Sequence, residues 1–326
     1  RGAHVVDLWG GLADVAARRP WQRDTRIVVF SVTKGLAAMA MHLLAERGAF
    51  DWDDPVAKHW PGFARSGKEA ISIRTLLHHR AGLPCLDTPL SLHDCADPAR
   101  AGAVRAALEA QRPIWLPGEQ QGYHALTFGL YVAELVHRLA GVPIGEYLKR
   151  EIFDVVGSDA RLGTPAALDA LQATLYPPNL TERLVAMVRS AITDRDSPEA
   201  RIARSILSRD SIVRRAFSNP SAGLGGVSAY ARVQVRRAAL AWASATSSAD
   251  GLARAYLPFS QGGRYERTEL FSAASLEPLA RRQSYSTCDL VVLSTLAFDQ
   301  YLLRQQQQFL TPDPRSFGHP GMGGAL

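Results

Sequence analysis

Residues 28–48 read VVFSVTKGLAAMAMHLLAERG: an apolar run, a Ser, and a Lys three places on at the head of a long apolar segment. Leu36, Met39, Ala40, Leu43 and Leu44 recur at helical spacing and Gly48 supplies a stop. The pattern predicts a helix over 31–48, entered directly from a short strand, IVVF at 27–30. At such a junction the Ser31 hydroxyl lies near unpaired backbone N–H groups and the positive end of the helix dipole. Lys34, at i+3, shares its face. All but four of the 37 Lys+Arg are Arg, so a Lys at this point needs a reason. A desolvated Lys beside other positive potential can give up its proton, whereas Arg, with a pKa above ~12, cannot. A proton acceptor beside this Ser has to be Lys. The ordinary alternative is an N-cap Ser with a solvent-facing Lys. Chance alone gives Ser-x-x-Lys roughly 0.3 times in a chain of this composition, so the pair does not decide the matter by itself.

The remainder of the chain sets the frame around that helix. With 326 residues, 47% hydrophobic and 21% charged, it has room for one large domain or two interlocked ones. No apolar run approaches the ~18–20 residues of a membrane span. The net charge is +6, but the Arg are scattered singly or in pairs such as Arg214–Arg215 and Arg236–Arg237. A solvated basic surface is the reading, with no nucleic-acid partner. Cys85, Cys95 and Cys288 form no CxxC and leave an odd count, which argues against a disulfide framework or a Cys-based metal site and leans towards a reducing compartment, the cytoplasm favoured. The chain starts at Arg1 rather than Met, which leaves any signal peptide out of view, and it stops at GHPGMGGAL; both ends read as cut.

Strands are expected at 4–9 (HVVDLW) and 27–30, and helices at 100–111, 125–140, 144–153, 180–193, 200–217 and 228–244. An apolar stretch at 289–303 reads as weaker strand and precedes the run Gln305–Gln308. Strands at both ends and a helical middle give an α+β organisation: residues 1–55 and 285–326 as an α/β part, 56–284 as a mainly helical insertion.

Two further segments bear on the chemistry. Tyr123 follows the Pro/Gly-rich loop PIWLPGEQQG and precedes a helix, where a phenol can point into a cleft; a packing Tyr is the plain alternative. Near the C-terminal end, His319-Pro320-Gly321 opens a Gly-rich run whose backbone could approach a substrate closely, or could simply be a turn. In this order and spacing, Ser31-x-x-Lys34, Tyr123 and His319-x-Gly321 resemble the serine β-lactamase-like superfamily, in its class C β-lactamase, DD-peptidase and esterase branch. RGAFDWDDPVAKHWPGF (47–63) resembles the segment after the nucleophile helix, and ISIRTLLHHRAGLP (71–84) the LLxHxxGLP segment that follows.

The resemblance implies a β-lactamase/transpeptidase-like fold, an antiparallel sheet flanked by helices, and no metal or cofactor. It implies Ser31 as the nucleophile, Lys34 sharing its proton, and Tyr123 relaying a proton to the leaving group. His319 would line the cleft where many relatives carry Lys. The N–H groups of Ser31 and of Met322, directly after Gly321, would form the oxyanion hole, with Gly321–Met322 running as a strand along the cleft edge. Two departures from the lactamase pattern, Ala125 in place of the Asn that ends the Tyr motif and Pro320 in place of a hydroxyl residue, favour a carboxylesterase acting on small esters. β-Lactam or D-Ala-D-Ala peptide hydrolysis by the same residues is the second reading, and a catalytically silent binding protein of this fold the third. The substrate is a small-molecule ester or amide in either enzymatic reading.

Other signals are set aside. SAGLGGVSA (221–229) lacks the strand-then-helix context of a dinucleotide loop. The adjacent His78 and His79 point apart and have no carboxylate pattern to complete a metal site. Asp51, Asp53 and Asp54 read as a turn.

Overall fold

The computed structural model describes residues 3–176, 185, 198–208, 210–300, 302–304 and 316–322. Its N-terminal hairpin pairs β1 (Leu12–Asp14) with β2 (Arg19–Pro20), and β3 (Ile27–Val28) then leads into α1 (Val32–Glu46). Every residue of α1 from Val32 to Leu44 is buried, so this is a core helix on all sides rather than an amphipathic surface one. α1 packs against α2 (Thr127–Ala140), which ends on Gly141 in the left-handed region at φ +72°, a conformation that Gly reaches without steric cost.

β4 (Thr246–Ser247) pairs antiparallel with β3, Ile27 opposite Ser247 and Val28 opposite Thr246, and the Val29 N–H extends the ladder to the Ala245 carbonyl. The pairing joins Thr246–Ser247, within the stretch 56–284, to the N-terminal strand. α3 (Ala249–Ser260) follows at once, its N-terminus capped by the Ser248 hydroxyl on the Gly251 N–H. After a small hairpin, β5 (Arg264–Tyr265) with β6 (Thr268–Glu269), comes a four-stranded antiparallel sheet in the order β10-β9-β8-β7. Its strands are β7 (Ser284–Ser286), β8 (Leu296–Phe298), β9 (Leu303–Arg304) and β10 (Phe317–Gly318).

Several expectations are corrected. HVVDLW is not a strand: Val5, Val6 and Leu8 are exposed, and no partner strand meets them among the described residues. The helix expected over 200–217 is two, Pro198–Leu207 and Ile212–Ser218. Only Val233–Arg237 of 228–244 is α-helical; Gly223–Ala231 is a 3-10 segment kinked at Gly226, and the chain then runs irregularly to Trp242. Tertiary demand explains the break, because the residues beyond must pair Ala245 with Val29. The helix expected at 180–193, Val185 apart, and the Gln305–Gln308 run lie outside the described residues.

Candidate active site

The strand-to-helix junction turns on Phe30, a non-Gly residue in the left-handed region at φ +46°, buried and edge-on to the Tyr230 ring at 5.9 Å. Such a backbone costs about 1–3 kcal/mol and persists only where packing holds it. Immediately after this bend Ser31 occupies the N-cap position of α1 with helical dihedrals (φ −64°, ψ −13°), and its side chain caps no backbone N–H. The hydroxyl faces Lys34 instead: Nζ lies 3.1 Å from Ser31 Oγ and donates to the Trp242 carbonyl, also at 3.1 Å. Lys34 is 1% exposed, which removes the reading of a solvent-facing Lys beside a capping Ser.

Burial is what acts on this amine: desolvation pulls the Lys34 pKa from 10.5 down to about 7. Near neutral pH a large fraction of the amine is therefore uncharged. A neutral amine has two N–H donors and one lone pair. One donor satisfies Trp242, which leaves the lone pair free to accept the Ser31 hydroxyl proton.

Tyr123 closes the site from the opposite wall. Lys34 Nζ stands 5.0 Å from the centroid of its ring. Burial raises the phenol pKa, with a hydrogen bond to Ser31 acting in the opposite sense, so the ring stays protonated at all ordinary pH. The Tyr123 oxygen is 3.2 Å from His319 Nε2, and His319 Nδ1 is 2.9 Å from the Pro320 carbonyl. A carbonyl can only accept, so Nδ1 carries the hydrogen and Nε2 accepts from the phenol. Burial, reinforced by Lys34, pushes the His319 pKa down to about 3. At position 319 this chain therefore sets a neutral hydrogen-bond acceptor.

The loop carrying Tyr123 is held through three consecutive amides. Gly122 N–H donates to the His79 carbonyl at 3.0 Å, Tyr123 N–H to Asp289 Oδ1 at 3.0 Å, and His124 N–H to His79 Nδ1 at 2.9 Å. His79, itself at φ +58°, packs its ring against that of Tyr123, tilted, with centroids 4.9 Å apart. His124 donates from Nδ1 to the Gly122 carbonyl at 2.6 Å and accepts the Leu83 N–H on Nε2 at 3.1 Å. The histidines are packing and backbone-binding groups. Among the described residues no cluster of His, Cys, Asp and Glu has the makings of a metal site.

The C-terminal segment comes to the same place. A Cβ on Gly321 would sit 2.3 Å from the Val29 carbonyl oxygen, so the 319–322 backbone can lie against β3 only because position 321 has no side chain. Gly35, directly after Lys34, has the same role: a Cβ there would meet the Tyr256 hydroxyl at 2.3 Å and His319 Cβ at 3.4 Å. Gly321–Met322 is not the strand expected: β10 stops at Gly318, and Met322 is in a turn with its side chain exposed. A cavity of about 900 Å³ borders this segment and is walled partly by Phe30, Tyr256, His319 and Met322. Ser31, Lys34 and Tyr123 are not among its lining residues, and the chemistry is centred on the hydroxyl–amine–phenol cluster beside it.

Comparison with known proteins places the whole chain. The family model described as Beta-lactamase matches residues 1–326. The chain belongs to the beta-lactamase family. A relative is the esterase/beta-lactamase LipL of Mycobacterium tuberculosis (strain ATCC 25618 / H37Rv), 29% identical over 336 residues, covering 100% of this chain and 71% of that protein. The crystal structure of a family VIII carboxylesterase superposes with a TM-score of 0.77 at 29% identity, covering 98% of this chain and 78% of that one. A penicillin-binding protein homologue from Caulobacter crescentus does so at 0.78 with 26% identity, covering 96% and 76%. The helices and antiparallel strands described above are thus a β-lactamase/transpeptidase-like fold. Within this beta-lactamase-family chain, sequence reading placed Ser31, Lys34, Tyr123 and His319 in one site, and the structure brings them together. It missed the Trp242 carbonyl, the Phe30 bend and Asp289. Trp242 and Asp289 act through or upon backbone groups, which leave no motif, and only the apolar run ahead of Ser31 hinted at the bend.

Proposed function

We propose that this chain is a serine hydrolase that forms an acyl-enzyme at Ser31 and acts on small carboxylic esters. The observation that carries the reading is Lys34: a buried amine 3.1 Å from Ser31 Oγ whose pKa burial lowers to about 7. Ser31 Oγ attacks the ester carbonyl carbon while its proton passes to the Lys34 lone pair. The Ser31 N–H, at the start of α1, would meet the tetrahedral oxyanion, with the Met322 N–H as the second donor that the family resemblance implies. Collapse breaks the carbon–oxygen bond to the leaving alkoxide, which takes the Tyr123 hydroxyl hydrogen as Lys34 passes the proton it received from Ser31 to the phenol oxygen. Water then attacks the acyl carbon, gives its proton to Lys34, and the proton returns to Ser31 as the acid leaves. Because His319 accepts from Tyr123 rather than donating to it, nothing on that side lowers the phenol pKa. Lys34 is the base and Tyr123 a relay.

Esters are preferred over β-lactams on the side-chain inventory. Position 125, where an amide would grip a substrate amide, is a buried Ala, and Pro320 offers no hydroxyl for a substrate carboxylate. The esterase names of relatives support the same order. The test is a comparison of kcat/KM for p-nitrophenyl butyrate and nitrocefin. The ester should be turned over far better; equal or faster nitrocefin turnover would make the β-lactamase reading the correct one.

A further inference from the structure

Asp289 is fully buried, and its Oδ1 accepts three backbone N–H groups: Val291 at 2.9 Å, Val292 at 3.0 Å and Tyr123 at 3.0 Å. The first two are local and are what any Asx-type turn makes. The third crosses 166 residues and contributes nothing to that turn. The two segments are buttoned at neighbouring points as well: Leu290 N–H donates to the Gln121 carbonyl at 3.0 Å, and the Ser284 hydroxyl to Gln121 Oε1 at 2.7 Å. On the opposite side His79 holds Gly122 and His124, so the Tyr123 amide is the one of the three consecutive amides that Asp289 takes.

We propose that Asp289 is a positioning residue for Tyr123, its buried Oδ1 fixing the Tyr123 amide and with it the direction in which the phenol reaches Ser31 and His319. This rests on the relay role proposed for Tyr123 above. The phenol oxygen stands at the far end of a long side chain, so a small rotation of the 122–124 backbone is magnified at its tip. A misplacement of about 1 Å at a reacting group costs about 10²-fold. Because the same oxygen is fixed by the Val291 and Val292 N–H groups, it is a rigid acceptor that resists that rotation.

The experiment is a double-mutant cycle with Tyr123→Phe, using two replacements of Asp289. Asp289→Asn keeps an oxygen for all three N–H groups and should hold kcat within about threefold. Asp289→Ser keeps a hydroxyl for the local turn but is too short for Tyr123. Its kcat on p-nitrophenyl butyrate should fall about 10–10²-fold with KM little changed. In the Tyr123→Phe background the same Asp289→Ser change should cost less than about threefold. An undiminished cost in that background would show that Asp289 acts on the fold at large and would overturn the proposal while leaving the Tyr123 role standing. Full activity in Tyr123→Phe alone would overturn both, and is thereby distinguishable. Should Asp289→Ser not accumulate folded, hydrogen exchange of the wild-type chain decides: slow exchange at 122–124 supports the clamp, and rapid exchange at Tyr123 contradicts it.

Discussion

The two walls of the site are assembled in different ways. Ser31 and Lys34 stand one helical turn apart at the head of α1, a helix buried from Val32 to Leu44; helix geometry sets them on one face, and the Trp242 carbonyl steadies the amine. Tyr123 and His319 arrive from 92 and 288 residues downstream of Ser31, and their place depends on Asp289, His79 and the bare backbone of Gly321. One wall is local and preset; the other is tertiary and clamped. Damage to the first should be close to all-or-none, and damage to the second graded.

The largest effect is expected at Ser31: Ser31→Ala should lose roughly 10⁴-fold or more of kcat, since no other group supplies the nucleophile. Lys34→Arg comes next and should be nearly as harmful as Lys34→Ala, about 10²–10⁴-fold, because a guanidinium keeps the charge but cannot take up a proton. Most of the activity surviving in Lys34→Arg would reduce Lys34 to a charge and break the account of the local wall.

On the clamped wall, Gly321→Ala should cost about 10–10²-fold in kcat and about 1–3 kcal/mol of stability, since its Cβ would be driven into the Val29 carbonyl. Unchanged kinetics would mean that the 319–322 segment does not contribute to the site. His319→Gln should be milder, within about tenfold, because a Gln oxygen can still accept from Tyr123. The pH profile of that variant should match the wild type between pH 5 and 9, as His319, with its pKa near 3, does not titrate there.

The smallest effect is thermodynamic. Unfolded, Lys34 keeps its proton up to 10.5; folded, it releases it at about 7. Between those values the unfolded chain binds the extra proton, so this group makes stability rise with pH across that window. Lys34→Met should flatten that slope and raise Tm by a few degrees at pH 7, in a chain without activity. A fall in Tm would show that the amine is better solvated than its burial implies.

The same division explains what could be read from the sequence. The strand–Ser–x–x–Lys–helix junction was legible because periodicity and a single misplaced residue type, Lys among Arg, both lie within 21 residues. Tyr123 and His319 were legible only through the order and spacing of three motifs. Asp289 and Trp242 were not legible, since one binds a backbone N–H and the other offers its own carbonyl, and neither requirement constrains nearby sequence. The helix expected over 228–244 stops at Arg237 for a related reason: the residues beyond it are largely apolar, but they are spent on reaching Lys34 and pairing with Val29. HVVDLW failed as a strand because a short apolar stretch does not by itself provide a neighbour to pair with.

The central claim is that Ser31 is acylated with Lys34 as its base, and covalent labelling tests it most directly. Intact-mass and peptide-mapping mass spectrometry after exposure to a fluorophosphonate, repeated from pH 5 to 9, should show one adduct, on Ser31. Its rate should climb through a single limb at about pH 7, where Lys34 gives up its proton. Labelling that persists in Ser31→Ala, or a rate on Ser31 that ignores pH across that range, would contradict it.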